Sequence, residues 1–270
     1  MKIKKYILSW LLMFVSVAAF AGVGQWRTHF AYNSVQVIAN CPEEIYALAN
    51  GAIFSINKMT ENMTLYNNRS GLHGTNVCFL MYDEEREQLL IMYSDGKMDI
   101  QYNGTMHYIS DLYNKRMTSS KKCNNITIHG KFAYLSMDFG ILVFDLEKHE
   151  FKETYYIGEE ASEVQVTDVM FYGDSIYARP KSTNYSARLY DNDVDYHFWS
   201  TCPVLPCPFD TKKGKEYTMP DGDLWKVAGA QGVYRKFVTG EEAYYLPDGP
   251  YVNTPYSMTF DRGRLYVVPG

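Results

Sequence analysis

Apolar residues in this chain fall in short runs of four to six, with no stripe at helical spacing. Glu44-Ile45-Tyr46-Ala47-Leu48 is followed by Gly51 and then Ile53-Phe54-Ser55-Ile56. Gln88-Leu89-Leu90-Ile91-Met92 is followed by Gly96 and Met98-Asp99-Ile100. Lys131-Phe132-Ala133-Tyr134-Leu135 is followed by Gly140 and Ile141-Leu142-Val143-Phe144-Asp145. Ser175-Ile176-Tyr177-Ala178 precedes Ala187-Arg188-Leu189-Tyr190, and Asp223-Leu224-Trp225-Lys226 precedes Gly232-Val233-Tyr234-Arg235. Arg264-Leu265-Tyr266-Val267 comes last. The markers Tyr46, Leu90, Tyr134, Tyr177, Trp225 and Tyr266 lie 44, 44, 43, 48 and 41 residues apart. The patterns predict hairpins, and where a glycine stands between the runs (Gly51, Gly96, Gly140 and Gly232) it supplies the positive φ of the turn.

The third unit shows the full content of one repeat. It predicts strands at Asn125–Ile128, Phe132–Ser136, Ile141–Asp145 and Phe151–Tyr156, with turns at His129-Gly130-Lys131, Met137 to Gly140 and Glu147 to Glu150. Four short strands in about 44 residues is the arithmetic of a β-propeller blade. One thin antiparallel sheet cannot bury both faces, but sheets packed around an axis do. A β-sandwich also has strands at short spacing, yet gives no reason for a 44-residue repeat. The expected fold is therefore all-β: a propeller of four-stranded blades, five whole and the first half of a sixth. An incomplete ring leaves an open edge. Either the sequence is a fragment of a longer chain, the preferred reading, or strands near Trp26 to Tyr32 complete the sixth blade.

Composition agrees. The chain has 24 Tyr and 14 Phe, 16% aromatic with Trp, which suits pleated, half-buried surfaces. Hydrophobic content of 46% argues against disorder. The first 21 residues read as an export signal: Lys2, Lys4 and Lys5, an apolar run from Ile7 to Ala18, then Ala19-Phe20-Ala21 as the cleavage pattern. That run is short for a membrane anchor. No later stretch is apolar enough to span a bilayer. The expected organisation is a signal peptide at 1–21 and a propeller domain at 22–270, exported to the periplasm or outer membrane. Removing the three signal lysines takes the net charge from −5 to −8. A mildly acidic chain without a basic run does not suit nucleic acid.

Candidate chemistry is sparse. The histidines are His29, His73, His107, His129, His149 and His197, with no H-E-x-x-H or H-x-H spacing. No G-x-S-x-G elbow occurs, and no Gly-rich loop opens a helix. No catalytic residue, metal site or cofactor is expected. Asp191-Asn192-Asp193-Val194-Asp195 opens like a calcium loop, but Tyr196 stands where that loop needs Gly and Cys202 where it needs Glu, so it reads as a charged turn. The five cysteines are Cys41, Cys78, Cys123, Cys202 and Cys207. Only Cys202 and Cys207 are close enough in sequence for a small local disulfide, the alternative being buried free thiols. Asp174-Ser175-Ile176 resembles the three-residue O-glycosylation acceptor of Bacteroidetes, which makes Ser175 a candidate modification site.

Several stretches read together. They are Gln25-Trp26-Arg27-Thr28-His29, Ser70-Gly71-Leu72, Tyr93-Ser94-Asp95-Gly96, Tyr108-Ile109-Ser110-Asp111-Leu112, Phe139 to Leu146, Thr154-Tyr155-Tyr156-Ile157-Gly158, and Asn184 to Asp191. This series resembles the N-terminal propeller of the PorZ family of the type IX secretion system, most clearly from 70 to 178. The resemblance implies a non-enzymatic protein at the outer membrane. It also implies protein partners in a surface attachment complex and anionic lipopolysaccharide as a ligand. Family members carry two propellers and a C-terminal β-sandwich domain, and this sequence is shorter. The Ser-Gly-Leu linker also resembles the periplasmic propellers of hybrid two-component regulators, so a ligand-sensing propeller is the alternative. An exported glycan hydrolase or lyase is a third reading.

Overall fold

The computed structural model describes residues 30–189, 194–251 and 255–269. The expected signal at 1–21 and the Trp26–His29 stretch lie outside these residues, as do Asp191 to Asp193 of the calcium-like motif.

The described chain is almost entirely strand. The first blade is β1 (Val35–Asn40), β2 (Glu44–Ala49), β3 (Ala52–Asn57) and β4 (Met63–Tyr66). The second is β5 (Val77–Asp83), β6 (Gln88–Tyr93), β7 (Met98–Tyr102) and β8 (Thr105–Ile109), followed by a one-turn helix, α1 (Asp111–Asn114). The third is β9 (Cys123–His129), β10 (Phe132–Met137), β11 (Gly140–Asp145) and β12 (Glu150–Tyr155). The fourth is β13 (Val166–Tyr172), β14 (Ser175–Pro180), β15 (Tyr185–Arg188) and the two-residue β16 (Ser200–Thr201). The fifth is β17 (Glu216–Thr218), β18 (Leu224–Val227), β19 (Val233–Lys236) and β20 (Glu242–Tyr245). Each is an antiparallel meander in sequence order. A hairpin of β21 (Pro255–Asp261) and β22 (Arg264–Pro269) follows.

Blade packing explains the apolar runs. All six residues of β6 and all six of β11 are buried, because neighbouring blades cover both faces. The outer strands face water: β4 and β8 are mostly exposed. Hence the middle strands read as continuous apolar runs and the outer ones as mixed sequence. The 2–3 hairpin glycines hold positive φ as expected: Gly51 at 80°, Gly96 at 88°, Gly140 at 146° and Gly232 at 88°. At Gly140 a Cβ would also collide with the Tyr155 carbonyl oxygen.

The first strands of blades 1 to 4 share a device that sequence did not reveal, and β17 of blade 5 lacks it. Register shifts occur at the start of β1, β5, β13 and β21 (Val35/Val37, Val77/Phe79, Val166/Asp168 and Pro255/Ser257), and at Cys123 of β9. A bulge adds twist and bends the strand that carries it. The last hairpin carries the same shift at the start of β21. No third strand joins it among the described residues, and Phe30–Ser34 is not strand.

Buried apolar clusters show the order around the hub. One joins blades 1, 2 and 3. Another joins blades 3 and 4, with Trp199. A third joins blade 1 to blade 5: Ile38, Phe54 and Ile56 pack with Trp225, Val233 and Tyr245. The spatial order is thus 5-1-2-3-4. Among the described residues no apolar cluster joins blades 4 and 5, so the ring is open there. Blade 5 occupies the position beside blade 1, which leaves no place between them for the sixth half-blade.

Candidate functional site

On the upper face, the approaches to the first strands meet the 2–3 hairpins. Hydrogen bonds stitch these segments together. Val77 N–H donates to Gly51 O (2.8 Å), Ser94 N–H to Asn76 O (3.1 Å), and Asp138 N–H to Lys122 O (3.2 Å). Glycine at 51 permits the first contact, since a Cβ there would stand 2.7 Å from Asn76 Oδ1. Asn50 Nδ2 donates to Asn33 Oδ1 (2.8 Å), and Asn33 Nδ2 to Tyr251 O (2.9 Å).

These segments enclose a cleft of about 940 Å³ lined by Asn33, Ser34, Gln36, Asn50, Asn76 and Ser94, with Cys78, Lys122 and Tyr251. The lining offers amide and hydroxyl groups, one cation and no carboxylate or imidazole. It suits a polyhydroxylated or weakly anionic ligand held by hydrogen bonds, and provides no paired acid and base. Burial pushes the Cys78 thiol up to about 11, so it stays neutral near pH 7 and is a poor nucleophile.

Below this mouth the hub is filled by the chain itself. The segment between β16 and β17 crosses from blade 4 to blade 5 through the centre. Gly214 O accepts from Ile38 N–H of blade 1 (2.7 Å), and Gly214 lies close to Phe79 of blade 2. Lys213 Nζ donates to Thr127 Oγ1 of blade 3 (2.6 Å) and pairs with Asp168 Oδ1 of blade 4 (3.2 Å). Cys207 Sγ faces Met170 (3.9 Å), and the Arg179 guanidinium stacks on Phe209 (4.8 Å). Asp168, 2% exposed, also accepts from Asn125 Nδ2 and Val169 N–H, both at 2.8 Å. Desolvation is the largest influence on Lys213 and lowers its pKa despite Asp168. One segment thus touches the first strands of four blades and ties the open ring together.

The residues singled out from sequence lie apart. Ser175 opens β14 beside the Gly173-Asp174 turn and is half-buried, far along the chain from the mouth segments. Cys202 and Cys207, close enough in sequence for a small local disulfide, are free thiols in this structure, Cys202 Sγ facing Val204 O (3.1 Å) and Cys207 facing Met170. The histidines disperse. His73 Nδ1 bonds fully buried Asp99 (2.9 Å), which also accepts from Tyr93 Oη (2.5 Å). His107 and His149 stand with ring centroids 5.9 Å apart between blades 2 and 3, although 42 residues separate them in sequence. His129 stacks on Phe171 (4.1 Å), and His197 bonds Asp195 (2.7 Å). Among the described residues no group of three or more His, Cys, Asp or Glu is placed to hold a metal. No described helix is long and apolar enough to cross a membrane. Sequence reasoning missed Lys213 and the amide ring, because a lone lysine and scattered asparagines in loops carry no spacing signal.

An open ring of four-stranded blades with a polar mouth defines an incomplete β-propeller. Residues 45–200 match the family model described as "TSS9, PorZ, N-terminal beta-propeller domain". That is more than half of the chain, which belongs to this family. Among solved structures it is similar to PorZ of Porphyromonas gingivalis, described as an essential bacterial surface component of the type-IX secretion system. The TM-score is 0.72 at 20% identity, covering 92% of this chain and 43% of that one. It is also similar to the extracellular domain of a putative hybrid two-component system, BT4673, from B. thetaiotaomicron. There the TM-score is 0.51 at 12% identity, covering 75% of this chain and 27% of that one. At these identities the structures show a shared fold, and the chain spans less than half the length of either. No curated protein sequence matches it.

Proposed function

We propose that this chain is an exported, non-catalytic scaffold of the type IX secretion machinery at the outer membrane. Its leader at 1–21 directs export, and the propeller from residue 22 presents surfaces to protein partners of a surface attachment complex. The observation that carries this reading is the family match over 45–200. The upper mouth supports it, because amides, hydroxyls and a single lysine give hydrogen bonding without an acid–base pair. Anionic lipopolysaccharide is assigned to that mouth, with Lys122 as the attracting charge. The test is affinity purification of a tagged chain from its native host. Outer-membrane secretion proteins are expected to come with it in stoichiometric amounts. An exported chain that elutes alone and binds no anionic lipopolysaccharide would remove the proposal.

A second reading, a ligand-sensing propeller, is supported by the fold shared with the hybrid two-component extracellular domain. It expects a neutral carbohydrate fragment in the same cleft. Thermal-shift screening of neutral against acidic glycans separates the two: stabilisation by neutral fragments alone favours sensing.

A further inference from the structure

A second cleft, of about 520 Å³, opens on the lower face between blades 1 and 2. Its walls come from the β1–β2 turn, the outer end of β4, the end of β5 and the start of β6. Tyr46, Tyr66 and Tyr82 contribute aromatic surface, and Glu43, Glu44 and Glu87 contribute carboxylates. No lysine, arginine or histidine lines it.

The aromatic groups are held in place. The Tyr46 and Tyr66 rings pack at 5.3 Å, their hydroxyls lie 3.1 Å apart, and Tyr66 Oη reaches Glu44 Oε2 at 3.3 Å. Tyr46 is 6% exposed and anchors in the core between blades 1 and 2. The Lys58 ammonium, outside the lining, bonds the Cys41 and Pro42 carbonyl oxygens of the wall. Glu43, Glu44 and Glu87 take part in no ion pair among the described residues. The phenols report the resulting environment. Burial is the main cause that pushes Tyr82 up to about 12, and the nearby Glu87 and Glu84 carboxylates add to it.

We infer that this lower cleft is a binding site for an organic cation, an ammonium or guanidinium group, held by the half-buried Tyr66 and Tyr82 and the carboxylates of Glu43, Glu44 and Glu87. Aromatic rings attract such cations through their quadrupole, and carboxylates add direct charge. The same lining repels anions, so an anionic glycan is excluded from this face. A lysine or arginine side chain of a partner polypeptide and a free polyamine share this chemistry. The inference rests on the cleft and stands apart from the secretion reading.

The test is titration of the full chain, labelled with 3-fluorotyrosine, with Nα-acetyl-lysine amide, Nα-acetyl-arginine amide, spermidine and the peptide acetyl-Gly-Ser-Lys-Ser-Gly-amide. Tyr66→Phe and Tyr82→Phe assign the resonances. Saturable shifts of Tyr66 and Tyr82 are expected with the cations and none with Nα-acetyl-glutamate amide. Affinity is expected to weaken at least fivefold in Glu44→Gln/Glu87→Gln and also as salt rises. Glu43→Lys places a competing ammonium beside the cleft and is expected to abolish binding while the circular dichroism spectrum stays unchanged. A peptide that binds no more weakly than the lysine amide assigns the cation to a polypeptide. Spermidine binding without peptide binding assigns it to a free amine. Absence of saturable shifts with every cation, or unchanged affinity in the double glutamine variant, overturns the inference.

Discussion

Arg235 is the residue whose loss is expected to loosen the contact between blade 5 and blade 1. Its side chain is 11% exposed, and its Nε and Nη2 donate to Asp223 Oδ2 at 2.8 and 2.6 Å. Its Nη1 crosses the interface to Lys58 O at 3.0 Å. Its guanidinium lies 4.8 Å from the Trp225 ring and 4.0 Å from the Phe237 ring. In Arg235→Met the Asp223 carboxylate, 4% exposed, keeps Val238 N–H (2.9 Å) but loses its cation. Removing one partner of a buried pair costs about 3–5 kcal/mol, and since the Arg235 side chain keeps 11% of its surface in water the lower end, about 3 kcal/mol, applies. For a domain of this size that is a fall of roughly 6–12 °C in Tm.

The pH dependence adds a second readout. Burial alone would raise the Asp223 pKa, but Val238 N–H and Arg235 outweigh it and hold the carboxyl below the ordinary carboxylate range. A folded pKa below the unfolded one stabilises the fold above about pH 4, and that stability is lost as pH falls through the folded value. The gap between wild type and Arg235→Met is therefore expected to be widest near pH 7 and to close below about pH 4. Scanning calorimetry between pH 3 and 8 measures it, with Asp223→Asn/Arg235→Met expected to recover part of the loss. A single variant within 1 °C of wild type at pH 7, or a gap that widens in acid, would refute the reasoning.

Other outcomes follow from the same packing. Gln88, 1% exposed, joins blades 2 and 3 by donating to Asp83 and Leu146 O while its oxygen meets His149; Gln88→Leu is expected to cost about 1–3 kcal/mol in urea unfolding. Gly140→Ala combines a φ of 146° with a collision at the Tyr155 carbonyl and is expected to lose more than about 2 kcal/mol, read as a drop in soluble yield and Tm. Lys213→Met frees the hub segment from Asp168 and Thr127; losing about 1.4 kcal/mol of local stability speeds proteolytic nicking between residues 202 and 215 about tenfold. Cys78, with its thiol pushed up to about 11, is expected to react with iodoacetamide at pH 7.5 roughly two orders of magnitude more slowly than an ordinary exposed cysteine.

What the sequence by itself determined is the blade. Runs such as Gln88–Met92 and Ile141–Asp145 specify strands buried on both faces, and Gly51, Gly96 and Gly140 specify the turns, because strand propensity and positive φ are local properties. The third-blade strands expected from pattern agree with β9 to β12 within two residues at each end. Repetition of that local code every 44 residues or so was enough to name the architecture. Only the tertiary structure decided which blade touches which. The spacing of Trp225 shows that it lies in a second strand, but its clustering with Phe54 and Ile38 depends on a contact between blades far apart in sequence. Lys213 had no local signal either, since a lysine meant for water and one meant for Asp168 look alike in a loop. The same holds for Tyr46, Tyr66, Tyr82 and Glu87, which come from two blades and form one cleft only after those blades pack. Side-chain convergence from distant strands is set by how whole sheets stack, and no pattern within a single strand encodes it.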